Sequence, residues 1–509
     1  MDKTFINKIL WACANTLRGS IDAASYKNVV LGLLFLRALP GNISSASSPS
    51  ELDLAPHHTS EHPFSGALTD ISVPTSAQWN HLTKAVTQEP PGAAIDAALN
   101  DLEAANPHLA GALPDGYTNL NVPARKIREV FDHVSRIGQA AEHQGIDVLG
   151  EVYEYFLGQF AALEGQKGGE FYTPSSLVRL LVECLAPNGG SVYDPCCGSG
   201  GMFVQVAEYA RQLQTSPGTL HVFGQESNMN TWKLARMNLY LRGIRGDLGD
   251  AAQDTFVRDL HRERLADYVL ANPPFNMSKW DDGHAESQPW PYGKPRPGSA
   301  NYAWIQKILQ HLEDGGTGAI ILSNGTLSSD SHGEARIRRE LIDAGVVDAI
   351  IQLPAQLFWN TQISACVWIL STNRSHGHAS DGRVLRVRDS EILFIDANVF
   401  GEYVDRTHKT LTAEEIWHVA TTYRAWRGDP GFEDFRDSPG FARAATLDCV
   451  QYHRYALVPG RYVGFANTDR VPTDKCHVDQ LLETGQDVMQ KLVARSTDSL
   501  KSLERRFNG

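Results

Sequence analysis

The chain has 509 residues and 42% of them are hydrophobic, enough for large cores and too much for a disordered or fibrous protein. Its 46 Lys plus Arg against 59 Asp plus Glu give a formal charge of -13, so the basic excess of a self-sufficient, non-specific DNA binder is missing, and any work on nucleic acid needs a local cationic patch or a partner. No apolar run approaches the ~18 residues of a membrane span, and the seven cysteines show no zinc-like spacing, which fits free thiols in a reducing cytoplasm.

The amino-terminal run Ile9–Ala14 is too short for a signal peptide, although Lys3 and Lys8 precede it. Phe5, Ile6, Ile9 and Leu10 recur on one helical face. Val29–Leu39 reads as a buried second helix, stopped by Pro40 and Gly41. Residues 41–66 are rich in Ser, Pro and His and read as a loop. Its His57, His58 and His62 have no acidic or thiol partner at ligand spacing, so no metal site is expected. Helical patterning returns over 79–165, where Ile127, Val130, Val134 and Ile137 stand three and four apart. Residues 1–165 are therefore expected to form a mostly helical domain, followed by a glycine-rich junction at 164–170.

Over 166–400 short apolar strands alternate with helical runs. Strands are expected at 191–194, 221–226, 267–271, 318–322, 346–353 and 365–370, which predicts a parallel, doubly wound α/β sheet. Residues 401–509 form an extension of irregular pattern that ends in a helical tail over 478–506.

Four stretches carry chemistry. The first expected strand ends at Asp194, and a loop holding Gly198, Ser199, Gly200 and Gly201 opens a helix near Met202. Such glycines let a ligand approach the backbone at a strand's carboxyl end. The spacing is neither that of a dinucleotide fingerprint nor that of a P-loop, and a tight structural turn is the alternative. Glu226 ends the second strand and suits the two hydroxyls of a ribose, or else supplies a charge to a helix starting at Ser227. Asn272-Pro273-Pro274-Phe275 follows the strand 268–271. The prolines stiffen the turn. The Asn272 side-chain oxygen and the Pro273 carbonyl can then accept both N–H bonds of one exocyclic amine, while Phe275 offers a flat face to a planar base. Finally, Phe171-Tyr172-Thr173-Pro174 places Thr173 as a helix N-cap with Pro174 at the first helical position. Spacing alone leaves open whether its aromatics touch a cofactor.

Taken together, these motifs resemble the modification (M) subunit of type I restriction-modification systems, an S-adenosylmethionine-dependent DNA adenine-N6 methyltransferase. The resemblance rests on Phe171–Pro174, Asp194–Gly201, Gly224-Gln225-Glu226 and Asn272–Phe275, together with 322–325, 353–358, 394–397, 406–412 and 422–426. One departure is Cys196 beside Cys197, where the family more often has alanine; both thiols are read as buried small residues. The resemblance implies a Rossmann-like methyltransferase sheet with an amino-terminal helical domain and a carboxy-terminal helical tail. It implies that Asp194, the Gly198–Gly201 backbone and Thr173 surround the methionine part of S-adenosylmethionine, with Phe171 and Tyr172 among the cofactor contacts. Glu226 would hold the ribose and Asp254 the adenine amine. Asn272 and Pro273 would grip the amine of a flipped adenine, with Pro274 stiffening the turn and Phe275 stacking the base; neither a metal nor a protein nucleophile is needed. The loop Asn276–Asn301, with Lys279, Lys294 and Arg296, either closes on the target strand or stays solvated. The implied partners are double-stranded DNA and a specificity (S) subunit that joins two M subunits and receives the tail around Leu481–Leu492. A restriction (R) subunit is a further candidate partner, and a membrane is not. Methyltransferases of protein glutamine or ribosomal RNA guanine share the Asn-Pro-Pro-aromatic pattern and are one alternative. A non-catalytic cofactor-binding scaffold and a fused nuclease-methylase are others, though no nuclease motif is visible.

Overall fold

The computed structural model describes residues 3–21, 23–39, 42, 71–88, 90–141, 152–153, 155–158, 173–213, 220–281, 289–358 and 363–464. The expectations for the 41–66 loop beyond Asn42, the 164–170 junction, Phe171, Tyr172 and the helical tail lie outside the described residues.

The amino-terminal part is helical: α1 (Lys3–Leu17), α2 (Ala23–Ala38), α3 (Trp79–Gln88), α4 (Pro91–Ala105) and α5 (Ala124–Ala141). From Val29 to Leu39 every described side chain of α2 and its exit is buried, Arg37 included, as befits a run apolar on nearly every side. α1 and α5 pack on it directly, α5 through Ile127, Val130, Val134 and Ile137, as the spacing predicts, and α3 and α4 join the same core. Asn42 ties the exit of α2 to α3, donating to the carbonyls of Leu36 (2.7 Å) and Ala77 (3.0 Å) and accepting from the Trp79 amide (2.7 Å).

Nine of the described strands form one sheet, in the order β11-β8-β6-β7-β5-β4-β1-β2-β3. They are β1 (Gly190–Asp194), β2 (Leu220–Gly224), β3 (Gly246–Asp247), β4 (Ala266–Ala271), β5 (Leu312–Ser323), β6 (Val347–Gln352), β7 (Ala365–Ser371), β8 (Glu391–Asp396) and β11 (Ala442–Thr446). A short hairpin, β9 (Glu402–Tyr403) and β10 (Lys409–Thr410), stands apart. All six expected strands are present, but the expected all-parallel sheet is mixed: β7 runs antiparallel to β5 and β6, and β11 antiparallel to β8. The link between β6 and β7 holds no helix among the described residues, so the chain turns back instead of crossing over. The pattern could not reveal this, because β7 is buried along its whole length and an all-apolar strand reads alike in either direction. β11 lies beyond residue 400, so the sheet draws on both sides of that expected boundary.

Successive residues feed opposite cores. Val192, Leu270, Ile321 and Ile351 join one, and Tyr193, Val269, Ile320 and Ile350 the other. Helices α6 (Ser175–Leu185), α7 (Gly201–Gln212), α8 (Met229–Leu241), α9 (Asn301–His311), α10 (Glu334–Asp343), α11 (Ala413–Arg427) and α12 (Leu447–Tyr452) complete the layers. α8 serves two of them. Trp232, Ala235 and Leu239 face the sheet, while Leu234, Met237 and Leu241 belong to the amino-terminal core. Both sets recur at spacings of three and four, on different faces of one helix. A salt bridge from Lys233 to Asp115 (3.3 Å) and a hydrogen bond from Tyr240 Oη to the His108 carbonyl (2.9 Å) add polar fastening.

Buried ion pairs fix α11 to the far half of the sheet. Asp348 on β6 is fully buried. It accepts from Arg388 Nε (2.9 Å) and Nη2 (3.1 Å) and from Tyr423 Oη of α11 (2.7 Å), with Arg374 Nε at 3.3 Å.

Candidate active site

The chain runs from β1 outward to β2 and β3, then returns across β1 to β4. β1 is therefore flanked by β2 and β4, all parallel, and the loops leaving β1 and β4 part at their carboxyl ends. In an open α/β sheet that divergence makes the ligand crevice. The glycine loop leaves β1 there, Glu226 follows β2, and Asn272 follows β4. All three line one cleft, which encloses about 980 Å³ including its open mouth, with Asp254, Pro274 and Met277 on its walls. A smaller recess continues from it to Thr173, Asp194 and Gly201.

The glycine loop is built to leave room. Gly198 and Gly200 hold φ of 55° and 79°, the left-handed region that side chains disfavour. A Cβ on Gly198 or Gly201 would meet nothing within 4 Å, so that side of the loop is open space. Gly200 turns inward toward Ala235 and Leu239 instead. Asp194 accepts the Cys196 amide (2.9 Å), and Asn238 of α8 holds the Ser199 carbonyl (2.9 Å). Burial pushes the Asp194 carboxyl up to about 7, against the downward pull of that amide. Cys197 is buried as expected, whereas Cys196 is half-buried on the cleft wall.

Glu226 lies two residues beyond the end of β2. Its carboxylate accepts the Gly198 amide (3.1 Å) and the Asn228 amide (2.7 Å), so it props the glycine loop from across the cleft. Asn228, not Ser227, caps α8, accepting from the amides of Asn230 (2.9 Å) and Thr231 (3.1 Å). The loop bearing Asp254 is fastened from beneath by Gln225, which is fully buried. Its side chain donates to the carbonyls of Gln253 (3.0 Å) and Arg258 (2.7 Å) and accepts the Leu260 amide (3.0 Å). Thr255 Oγ1 adds a bond to the Pro195 carbonyl (2.5 Å). Gln225→Ala would remove the side-chain partner of three backbone groups. It is expected to cost about 2 kcal/mol and to speed amide exchange selectively over residues 253–260, measured by hydrogen–deuterium mass spectrometry.

Thr173 is not the N-cap that its motif predicts. α6 starts one residue later, with Pro174 in the cap position and no side-chain cap. From Thr173 the hydroxyl instead accepts Asn272 Nδ2 at 2.7 Å, linking the motif before the glycine loop to the motif after β4. This bond fixes which way the Asn272 amide points. Its Oδ1 is buried and has no hydrogen-bond partner among the described residues. Pro273 is buried, and Phe275, 8% exposed, packs edge-to-face on Phe358 with ring centroids 5.3 Å apart. The cleft wall also holds Lys27, Leu157 and Trp304, which no local motif marks because they arrive from distant parts of the chain.

No cluster of His, Cys, Asp or Glu among the described residues could hold a metal ion. No described helix is long and apolar enough to cross a membrane.

Comparison with known proteins adds identity to this geometry. Residues 144–470 match the N-6 DNA Methylase family, and residues 6–134 match the HsdM N-terminal domain. The methylase subunit of the type I restriction enzyme HindI from Haemophilus influenzae is 39% identical over 74% of this chain and 83% of its own length. That of MjaIX from Methanocaldococcus jannaschii is 32% identical over 89% of this chain and 83% of its own. The crystal structure of a type I restriction-modification methyltransferase subunit from Streptococcus thermophilus superposes with a TM-score of 0.72 at 26% identity, covering 91% of this chain and all 100% of that one. With the family model spanning most of the sheet and its crevice, and the amino-terminal model spanning the helices packed on α8, the chain belongs to the N-6 DNA methylase family of type I restriction-modification methylase subunits.

Proposed function

We propose that this chain moves the methyl group of S-adenosylmethionine to the N6 amine of adenine in double-stranded DNA. It would do so as the modification subunit of a type I restriction-modification complex, with a separate specificity subunit reading the sequence and two such chains for each specificity subunit. The observation that carries the reading is Asn272 Oδ1, a buried acceptor without a partner among the described residues, in a cleft shared with the open glycine loop. A buried carbonyl left unsatisfied costs about 1–3 kcal/mol. The cost is removed when an amine N–H enters the cleft.

The residues present fit the cofactor. S-adenosylmethionine is cationic at sulfur, and the crevice is lined by Asp194, Glu226 and Asp254. The vacant side of Gly198 and Gly201 matches the close approach that its amino-acid part requires. When bound, the cofactor supplies an electrophilic methyl group, and the protein has to present the amine. Thr173 sets the Asn272 amide so that Oδ1 would accept one N–H, and the Pro273 carbonyl would accept the other. Both acceptors favour the nitrogen as positive charge develops on it. Phe275, packed edge-to-face on Phe358, would offer its ring to the flipped base. The adenine must first leave its stack, at a cost of about a few kcal/mol.

The test is methyl transfer from labelled cofactor by the full chain, with its specificity subunit, to DNA, RNA and protein in parallel. N6-methyladenine in DNA is the expected product. Label appearing only in RNA or protein would overturn the reading.

The Asp194 carboxyl, raised to about 7 by burial, is largely protonated below that pH, and a cationic ligand favours its ionised form. Cofactor binding should therefore release a proton and tighten as pH rises toward neutrality. Between pH 7 and pH 6 the ionised fraction falls from about a half to about a tenth, so the affinity should fall by up to about fivefold. Asp194→Asn should flatten this slope, as read by calorimetry in buffers of different ionisation enthalpy; an equal slope in the variant would refute the assignment.

A further inference from the structure

The chain is acidic overall, and the cleft and its recess set Asp194, Glu226 and Asp254 against the single lysine Lys27 among their lining residues, so a DNA strand delivered to Asn272 gains from a further cation beside the cleft. Three basic residues lie in the loop after the Asn-Pro-Pro-Phe turn, and the structure separates them sharply. Lys294 faces Asp281 (3.9 Å) and Arg296 is paired with Glu334 (2.8 Å). Lys307, on the helix that follows, is buried against Asp259 (3.1 Å). Lys279 is exposed and makes no hydrogen bond or ion pair among the described residues.

Lys279 is also held in place. Its φ is 59°, and that of Asn276 is 53°, so two residues with side chains occupy left-handed backbone. Each costs about 1 kcal/mol relative to glycine and persists only where its surroundings enforce it. Those surroundings are rigid. Asn276 and Asn301 exchange two hydrogen bonds (3.1 and 2.8 Å), and Ser323 Oγ donates to Asn276 Oδ1 (3.2 Å). The Met277 carbonyl accepts the Ala300 amide at 3.0 Å. Trp280, 3% exposed, bonds the Arg296 carbonyl (3.0 Å) and packs on Phe256. Lys279 is thus the outward residue of a clamped turn, two positions after Met277 on the cleft wall and within about 7 Å of it along the backbone.

We propose that Lys279 binds the target-strand phosphate next to the extruded adenine, anchoring the strand while the base enters the cleft. This rests on the DNA-methylation reading above and adds the backbone contact. A compact ammonium suits such a point-charge contact. It fixes position without reading sequence.

The experiment compares Lys279→Ala, Lys279→Arg and a remote control, Lys84→Ala on an exposed face of α3, in the full chain with its specificity subunit. The readout is kcat/KM for DNA from 0.05 to 0.2 M KCl. Losing one phosphate contact should reduce the slope of log kcat/KM against log salt by about 0.9, so that raising the salt costs wild type about 3.5-fold more than the variant. Lys279→Arg should keep the wild-type slope. In Lys279→Ala, kcat at saturating DNA and cofactor Kd should stay within about twofold, a split that a merely structural lesion would not produce. An unchanged slope in Lys279→Ala, or an equal change in Lys84→Ala, overturns the proposal. Absence of DNA methylation by the wild-type complex would instead sink the reading on which it rests.

Discussion

Asn272→Ala is expected to lower the methylation rate at saturating substrate by roughly 10²–10³-fold, the scale on which removal of one preorganised charge-stabilising group acts. Cofactor Kd should change by less than about threefold, because the glycine loop and Glu226 brace each other without Asn272. The companion variant is Thr173→Val, which keeps shape but removes the oxygen that accepts Asn272 Nδ2. It should lose about tenfold in kcat, the effect of about 1.4 kcal/mol, and Thr173→Ser should restore it. If Asn272→Ala methylated at the wild-type rate, the amine grip would be assigned to the wrong residue. If cofactor binding collapsed along with activity, Asn272 would be supporting the crevice instead of the substrate. Stopped-flow transfer and equilibrium cofactor titration separate these outcomes.

The largest stability effect is expected at Asp348, far from the cleft. Asp348→Ala removes the carboxylate that the buried Arg388 and Arg374 share, and loss of one member of a buried pair costs about 3–5 kcal/mol. For a domain of this size that is a fall in Tm of roughly 10 °C. Burial pushes the Asp348 carboxyl up, yet the adjoining charges of Arg388 and Arg374 and the bonds from Arg388 and Tyr423 outweigh it and hold it below the usual carboxylate range. A depressed native pKa stabilises above the unfolded value of ~3.9 and loses that contribution as pH falls through the native one. The deficit of the variant should therefore be as large at pH 5 as at pH 8 and shrink only in stronger acid. A shift in Tm below about 2 °C would show that the network contributes little.

Much of this molecule is legible in its sequence because the informative residues are local. Each strand that ends in the crevice carries its signal within a few positions: the glycines after Asp194, the acid after Gly224, the prolines after Asn272. Helix α2 is equally plain, since an apolar run too short for a membrane span still has to be buried. What escapes is whatever depends on neighbours distant in the chain. The direction of β7 is hidden because its side chains are buried on both faces. Thr173 obeys the local rule for a cap, but Asn272, 99 residues away, claims its hydroxyl. Gln225 resembles any polar residue at a strand end until the loop over 253–260 closes on it. Lys279 gains meaning only when Lys294 and Arg296 are seen to be neutralised by Asp281 and Glu334.

The double-faced helix α8 has a consequence for how such proteins diversify. One end carries Asn228, which touches Glu226, and along its length two sets of side chains belong to different cores. A hybrid made by grafting the amino-terminal half of a relative onto this sheet must also import the outward stripe of Leu234, Met237 and Leu241. Recombination that cuts between the two regions while ignoring that stripe would leave a mismatched seam one helix thick against the crevice. Breakpoints that preserve both complementary surfaces, and not the linear border between the regions, are the ones such a lineage can tolerate.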